Sequence, residues 1–539
     1  MRYFDCCCEI GPRGEHDPAA PWSVGDVLHW MDRCGIAAAL AVHTLAIHGN
    51  VVQSRRRIKE DIARAGGRMF PVWTLLPPDA GDYDAGPDKL FVEMAAEGVR
   101  AVKLFPKTHN YPLCPSVMAP ILRPLEDHGV LTMIDFGELP AGAEAAFATM
   151  DSLLGAFARL PVLLQRTVWS MQRIVTALME RHANLHIEFS AYQINRGIER
   201  YAQRFGPQRL LFGTGLPGMS AGAARCFVDY AQVGPEAKAM IAGGNLSRLL
   251  GGVPIGKVPL SDDPLIATAA AAAPLADFDI QDAHCHVLHE DTSSAGGYVM
   301  YDGDADGILE LNDALSIRTG TLISWTGPIA SDTVDGNDVV ARAMKRHPGR
   351  FYGLIYVNPV LLSKDELIDE ILARLREPGW VGFKPYPYVG LAYDDPLYAP
   401  CWQVAQERGL MALLHLGGKA GSAKTAAKLA KEYPDAQWVI AHSGGSFAMA
   451  REVAAVMKDR PNIWAELTLT PVTNGVIEWL ASEAGDDRIL FGTDAPMRDP
   501  RPQLGWVVWS DLPLASRRRI LGENFRRLLG MRKNPPVGA

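Results

Sequence analysis

The chain has 539 residues, too many for one hydrophobic core, so two or more domains are expected. Hydrophobic residues make up 48% and charged residues 21%, ordinary globular usage, and a net charge of -8 without a dense basic stripe argues against a sequence-independent grip on nucleic acid. No apolar run reaches the roughly 18 residues needed to span a membrane, and the opening MRYFDCCCEIG lacks the basic and apolar segments of a secretory signal, so a cytoplasmic protein is expected.

In chain order, the first half carries short apolar runs near 2–8, 36–43, 69–75, 99–105, 129–135, 161–165, 185–189 and 209–214, separated by amphipathic stretches. That alternation is the pattern of βαβ units. Three of the eight cysteines, Cys6, Cys7 and Cys8, are consecutive in the first run. Adjacent cysteines rarely bridge and a chain of this size needs no staples, so reduced thiols are expected. The Ala-rich stretch Ala267–Ala273, between Pro264 and Pro274, reads as linker. In the second half the runs recur near 278–286, 319–325, 351–357, 380–385, 410–415, 437–442, 462–466 and 488–494, with helical stretches such as Lys364–Leu375, Tyr398–Arg408 and Ala423–Glu432 between them.

The two halves repeat each other. GVRAVKLFPKTHNYPL (98–113) resembles GWVGFKPYPYVGLAYDDPLY (379–398), and RMFPVWTLLPP (68–78) resembles RFYGLIYVNPV (350–360). RLLFGTGLP (209–217) matches RILFGTDAP (488–496), and GGNLSRLLG (243–251) matches GENFRRLLG (522–530). Gly215 and Asp494 are 279 residues apart, as are Gly251 and Gly530. A constant displacement means duplication of one domain. The expected organisation is a domain over 1–255, an Ala/Pro-rich linker over 256–276 and a second domain over 277–539. Eight strand–helix units per half predict an α/β fold of two tandem (β/α)8 barrels. The alternative, an open doubly wound sheet, calls for a Gly-rich first turn that is missing.

In such a barrel the chemistry lies at the C-terminal ends of the strands. The first run of the second half reads FDIQDAHCHV; alternation along a strand points His284 and His286 the same way and Cys285 the other. The fifth, GLMALLHLGG, ends in His415, the sixth, QWVIAHSGG, in His442, and the eighth, RILFGTDAP, in Asp494. Of six histidines in this half, only His289 and His347 lie away from predicted strand ends. Each residue alone has a bland reading as a hydrogen-bonded side chain; four strands agreeing in one register point to a metal site.

The motifs DAHCHV, LLHLGG, VIAHSGG and LFGTDAP resemble the amidohydrolase superfamily, in its amidohydrolase-related branch, which holds lactone and amide hydrolases and also nonoxidative decarboxylases of the aminocarboxymuconate semialdehyde decarboxylase kind. The resemblance covers the whole second half in order. It implies that His284, His286 and His415 ligate one divalent metal, that Asp494 completes the shell or exchanges a proton with the bound water, and that His442 is a general acid/base or polariser. Lys384, in GFKPYPY, is the nearest counterpart of the lysine that bridges two ions in two-metal members, and is assigned instead to a substrate carboxylate or to structure. Zinc suits a mostly imidazole shell, with manganese or iron as substitutes. Such an ion lowers the pKa of bound water to about 7. Ser443, at the start of the Gly-rich turn after His442, and Arg498 and Arg501, past Asp494, are candidates for holding an anionic substrate; each also reads as an ordinary turn or surface residue.

The first half has lost this set. Cys7 and Glu9 of DCCCE (5–9) stand where DAHCH (282–286) has its histidines, Asp135 opposite His415, Gln165 or its neighbour opposite His442, and Gly215 opposite Asp494. Cys7, Glu9 and Asp135 are competent to form another metal site; a degenerate barrel retained for packing is the favoured reading. Members of the resembled family often pair barrels as homodimers, so the first barrel is expected to dock on the second as a pseudo-dimer. The expected function is hydrolysis of a small carboxylate-bearing lactone, amide or ester. A metal-dependent decarboxylase is the alternative at the same site, and a non-catalytic sensor or scaffold the alternative of another class. No nucleic-acid or membrane partner is expected.

Overall fold

The structure is a computed structural model that describes residues 1–13, 17–78, 86–290, 292–330, 332–469 and 471–533. The chain divides into two compact units, Met1–Ala270 and Ala271–Ala539. The stretch expected to be linker is not plain linker. Residues Pro264–Ala270 form a helix that buries Leu265, Ile266 and Ala269 and belongs to the first unit. Alanine is the best helix former, and Pro264 at the first helical position costs no hydrogen bond there, so an Ala-rich run behind a proline folds as soon as it finds a surface to cover.

Each unit is an eight-stranded parallel sheet with its strands in sequence order. In the first unit the strands are Tyr3–Ile10, Ile36–His43, Met69–Thr74, Ala101–Leu104, Leu131–Asp135, Val162–Gln165, Leu185–Glu188 and Leu210–Leu211. In the second they are Ile280–Val287, Ile317–Ser324, Phe351–Tyr356, Trp380–Lys384, Met411–Leu414, Gln437–Ile440, Ile463–Glu466 and Ile489–Leu490. Strand 1 returns to the segment after strand 8 and closes the ring. In the first unit Cys6 N–H donates to Phe212 O (2.9 Å) and Gly215 N–H to Cys7 O (2.8 Å). In the second Ala283 N–H donates to Phe491 O (3.0 Å) and Asp494 N–H to His284 O (2.8 Å). Both halves are (β/α)8 barrels.

All predicted strands are present; in the second barrel the sixth and eighth stop at Ile440 and Leu490, before their expected ends. His442 and Asp494 fall outside them because both take left-handed backbone conformations, φ 64° and 55°. Strand runs are apolar on both faces because helices cover a parallel sheet. Ala283, Leu354, Val381, Met411, Val439 and Leu490, from six strands, form one core with Phe525 and Leu528 of the last helix. The helices carry ordinary stop and start signals. Ser363 caps Lys364–Arg374 in a reciprocal box with Glu366, and that helix buries Leu367 and Ile371.

Candidate metal centre

The site begins with a brace that both barrels share. Asp282, fully buried in strand 1, accepts hydrogen bonds from the backbone of His284 (2.9 Å) and Thr493 (3.0 Å) and from Thr493 Oγ1 (2.5 Å). Asp5 does the same for Cys7, Thr214 N and Thr214 Oγ1. Each carboxylate locks the turn after strand 8 to strand 1. Burial raises the Asp282 carboxyl to about 8 and that of Asp5 to about 7, against the hydrogen bonds that favour the anion.

On this brace the second barrel brings its reactive residues together. His284, His286 and Asp494 each offer a ligand atom, all within 4.8 Å of one another. Asp494 Oδ1 lies 3.0 Å from His286 Nε2 and 3.5 Å from His284 Nε2. The orientation of His284 is set by Glu466, at the end of strand 7, whose Oε2 is 3.0 Å from His284 Nδ1. With the proton on Nδ1, the Nε2 lone pair faces Asp494, as a metal ligand requires. Glu466 is itself fully buried and held by Thr468 N–H at 2.7 Å and by the Thr468 hydroxyl. Sequence reading missed this carboxylate. The signal was there in the repeat, since Glu188 ends strand 7 of the first barrel and accepts from Arg166 N and Ser190 N.

His442 and His415 form a second pair beside the cluster. His442 Nδ1 lies 2.6 Å from Thr468 O, an acceptor only, so Nδ1 carries the proton. Its Nε2 then accepts from His415 Nδ1 at 3.1 Å, which leaves His415 Nε2 with a lone pair. His415, expected as the third imidazole ligand, therefore stands outside the three-residue convergence, bonded to His442. Burial holds every imidazole of the group below the usual histidine range. It is supplemented by Lys384 at His284 and by His442 at His415, which falls to about 2; His442 itself falls to about 4. Neutral rings are the form that ligates a cation. Burial alone would raise Asp494, but Arg498 and the bond from His286 outweigh it and keep the carboxylate ionised. Two neutral imidazoles and a carboxylate converging in a buried cluster fit a divalent cation.

The remaining candidates divide. Lys384 is fully buried with Nζ 3.2 Å from His284 Nε2, and burial lowers its ammonium to about 8. The lone pair it meets is the one a metal would use, so ligation there requires the amine to withdraw. Arg498, expected to hold a substrate carboxylate, is buried and paired with Asp494. Arg501 is fully buried and doubly paired with Asp499, Nε at 2.7 Å and Nη2 at 2.5 Å. Ser443 is fully buried, with its hydroxyl donating to Ile440 O at 2.8 Å. Both side chains are thus engaged in the turns after strands 6 and 8.

In the first barrel the corresponding place is filled by ion pairs. Strand register puts Arg166, not Gln165, opposite His442: Asp135 pairs with Gln165 as Leu414 pairs with Ile440, one position before His415, and Arg166 repeats the left-handed φ of His442 (49° against 64°). Arg166 Nη2 lies 2.8 Å from Glu9 Oε1, Arg13 also pairs with Glu9, and Lys103 Nζ lies 2.8 Å from Asp135. Cys7 is buried, and burial raises its thiol to about 11, away from the thiolate a metal needs. Two guanidinium groups and an ammonium neutralise the carboxylates where the second barrel gathers its candidate ligands.

Among the described residues no helix is long and apolar enough to cross a membrane. No curated protein matches the chain significantly. Among solved structures it is similar to a 2,6-dihydroxybenzoate decarboxylase from Rhizobium (20% identity, TM-score 0.39, 47% of this chain and 99% of that one). It is likewise similar to a dihydroxybenzoic acid decarboxylase from a Polaromonas species with bound manganese (18%, TM-score 0.40, 48% and 99%). A third is an uncharacterized TIM-barrel protein from Bordetella bronchiseptica (18%, TM-score 0.38, 47% and 99%). A family model described as Amidohydrolase matches residues 33–252 and again 281–531, once in each barrel. The chain therefore belongs to the amidohydrolase family as a tandem duplication, with its candidate metal centre in the C-terminal copy.

Proposed function

We propose that this protein is a metal-dependent hydrolase acting on a small carboxylate-bearing lactone, amide or ester. The observation that carries the reading is the convergence of His284, His286 and Asp494, all buried, in the second barrel. Zinc is the cation proposed, with manganese or iron as substitutes for the same donors. When bound, such an ion acidifies a ligated water and polarises a carbonyl. The protein's own part is positioning and proton transfer. Glu466 keeps the His284 lone pair on the ligand side, and Arg498 keeps Asp494 ionised at neutral pH. That pairing makes Asp494 a better ligand than base. His442 Nε2, kept unprotonated by the proton on Nδ1, is the group placed to accept a proton near the cluster once the His415 Nδ1–H it now accepts from turns away.

Decarboxylation of a planar acid is the second reading, favoured by the aromatic lining of Trp325 and Tyr386 beside His286 and His415. One panel of small carboxylates, assayed for acid production and for carbon dioxide release on zinc- and manganese-loaded protein, separates the two. His442→Gln should lower turnover about 100-fold or more while leaving metal content unchanged. Loss of metal in that variant would make His442 a ligand and remove it from proton transfer.

A further inference from the structure

Trp325 follows strand 2, where its N–H donates to Val287 O at 3.0 Å. The side chain is 1% exposed. Its ring stands edge-on to His286 (centroids 4.7 Å apart, planes at 88°) and reaches towards Tyr386 (6.2 Å), which in turn lies 5.4 Å from His415. The indole thus stands beside the strand-1 ligand, with Tyr386 between it and the strand-5 histidine. Among the described residues its Nε1 has no acceptor.

Other indoles of this barrel find acceptors within the fold. Trp402, Trp464 and Trp506 donate to Tyr393 O, Gln437 Oε1 and Thr473 O at 2.7 to 3.0 Å. Trp380 also lacks an acceptor but begins strand 4, at the end remote from the mouth. Buried donors are nearly always paired, so an unpaired N–H on a ring packed against His286 implies an acceptor that a ligand brings. The duplication supplies a second argument. The residues both barrels keep, Asp5 and Asp282, Thr214 and Thr493, Glu188 and Glu466, brace the fold. The residues that differ are those of the metal cluster, and Trp325 differs with them. The first barrel has Thr44 at the equivalent place, its N–H on Ile10 O at 2.9 Å and its hydroxyl turned to Pro12 O.

We propose that the indole N–H of Trp325 donates to an anionic oxygen of the substrate and so fixes which end of the molecule faces the His286 side of the centre. The proposal rests on the metal-site reading above and adds a specificity-determining contact to it.

The test uses the full chain, zinc-loaded and labelled with 5-fluorotryptophan, with benzoate as the probe. The resonance missing in Trp325→Phe assigns Trp325. That resonance should shift as benzoate binds, and Trp325→Phe should weaken benzoate about tenfold or more, the range for a hydrogen bond to a charged group, with metal content retained. An unmoved resonance, equal benzoate affinity in the variant, or no benzoate binding by the wild type overturns the contact. Loss of metal in Trp325→Phe overturns it too, since the ring would then only support His286. A wild type that holds no metal yet binds benzoate through Trp325 brings down the metal reading alone.

Discussion

His284 is held from three sides: its backbone N–H bonds Asp282, its Nδ1 bonds Glu466, and Lys384 touches its Nε2. The most informative of these partners is Glu466, because it orients the ring without belonging to the Asp494 cluster. Glu466→Gln keeps the size but replaces an obligate acceptor by a group able to present a donor to Nδ1, which would reverse the tautomer. Metal affinity should fall about 10- to 100-fold, as for other partners that orient metal-bound histidines, with the fold retained. Titration of the metal-free variant with zinc would show it, and wild-type affinity would mean that Glu466 merely fills space. Asp494 makes the complementary point. A carboxylate in so dry a place would be expected to hold its proton, and the neighbouring Arg498 reverses that expectation.

At the scale of single elements, the two ends of the barrel strands behave differently. Strand 8 is only Ile489–Leu490 because the chain turns at once to deliver Asp494, and Gly492 leaves room there for Glu466 and His284. A Cβ there would press on the Glu466 carboxylate and lie 2.9 Å from His284 Cβ. Gly492→Ala should therefore displace both, lowering zinc occupancy and destabilising the second barrel by about 1–3 kcal/mol. Gly213→Ala crowds Glu188 and Cys7 in the first barrel in the same way. It should destabilise without changing metal content, and equal metal loss in both variants would refute the assignment. Strand 7 of the first barrel supplies a pH dependence. Burial, with Arg209 and Arg248 nearby, lowers His186 to about 4. The unfolded chain takes up its proton near pH 6.5 and the folded one only near 4, so stability is lost as pH falls through that window, by about 3 kcal/mol at most. His186→Leu should flatten the thermal midpoint between pH 6.5 and 4, and an unchanged slope would show that other groups set it.

Over the whole molecule, duplication has left one centre of imidazoles and one of ion pairs. The purified chain is therefore expected to hold one metal equivalent after metal-supplemented expression, abolished by His286→Ala and untouched by Glu9→Gln. Two equivalents, or a loss in Glu9→Gln, would show that the first barrel binds metal through Cys7, Glu9 and Asp135 after all. By itself the sequence determined the two barrels, their repeat and the convergence of His284, His286 and Asp494. Strand periodicity and the rule that strand ends meet at one mouth are local signals, readable without coordinates. Tertiary structure alone decided that His415 bonds His442, that Arg498 serves Asp494, that Arg501 and Ser443 face inward, and that Arg166 lies among the carboxylates of the first barrel. Those outcomes depend on side chains from separate strands and on left-handed turns beyond the strand ends, where sequence spacing no longer says which way a residue points.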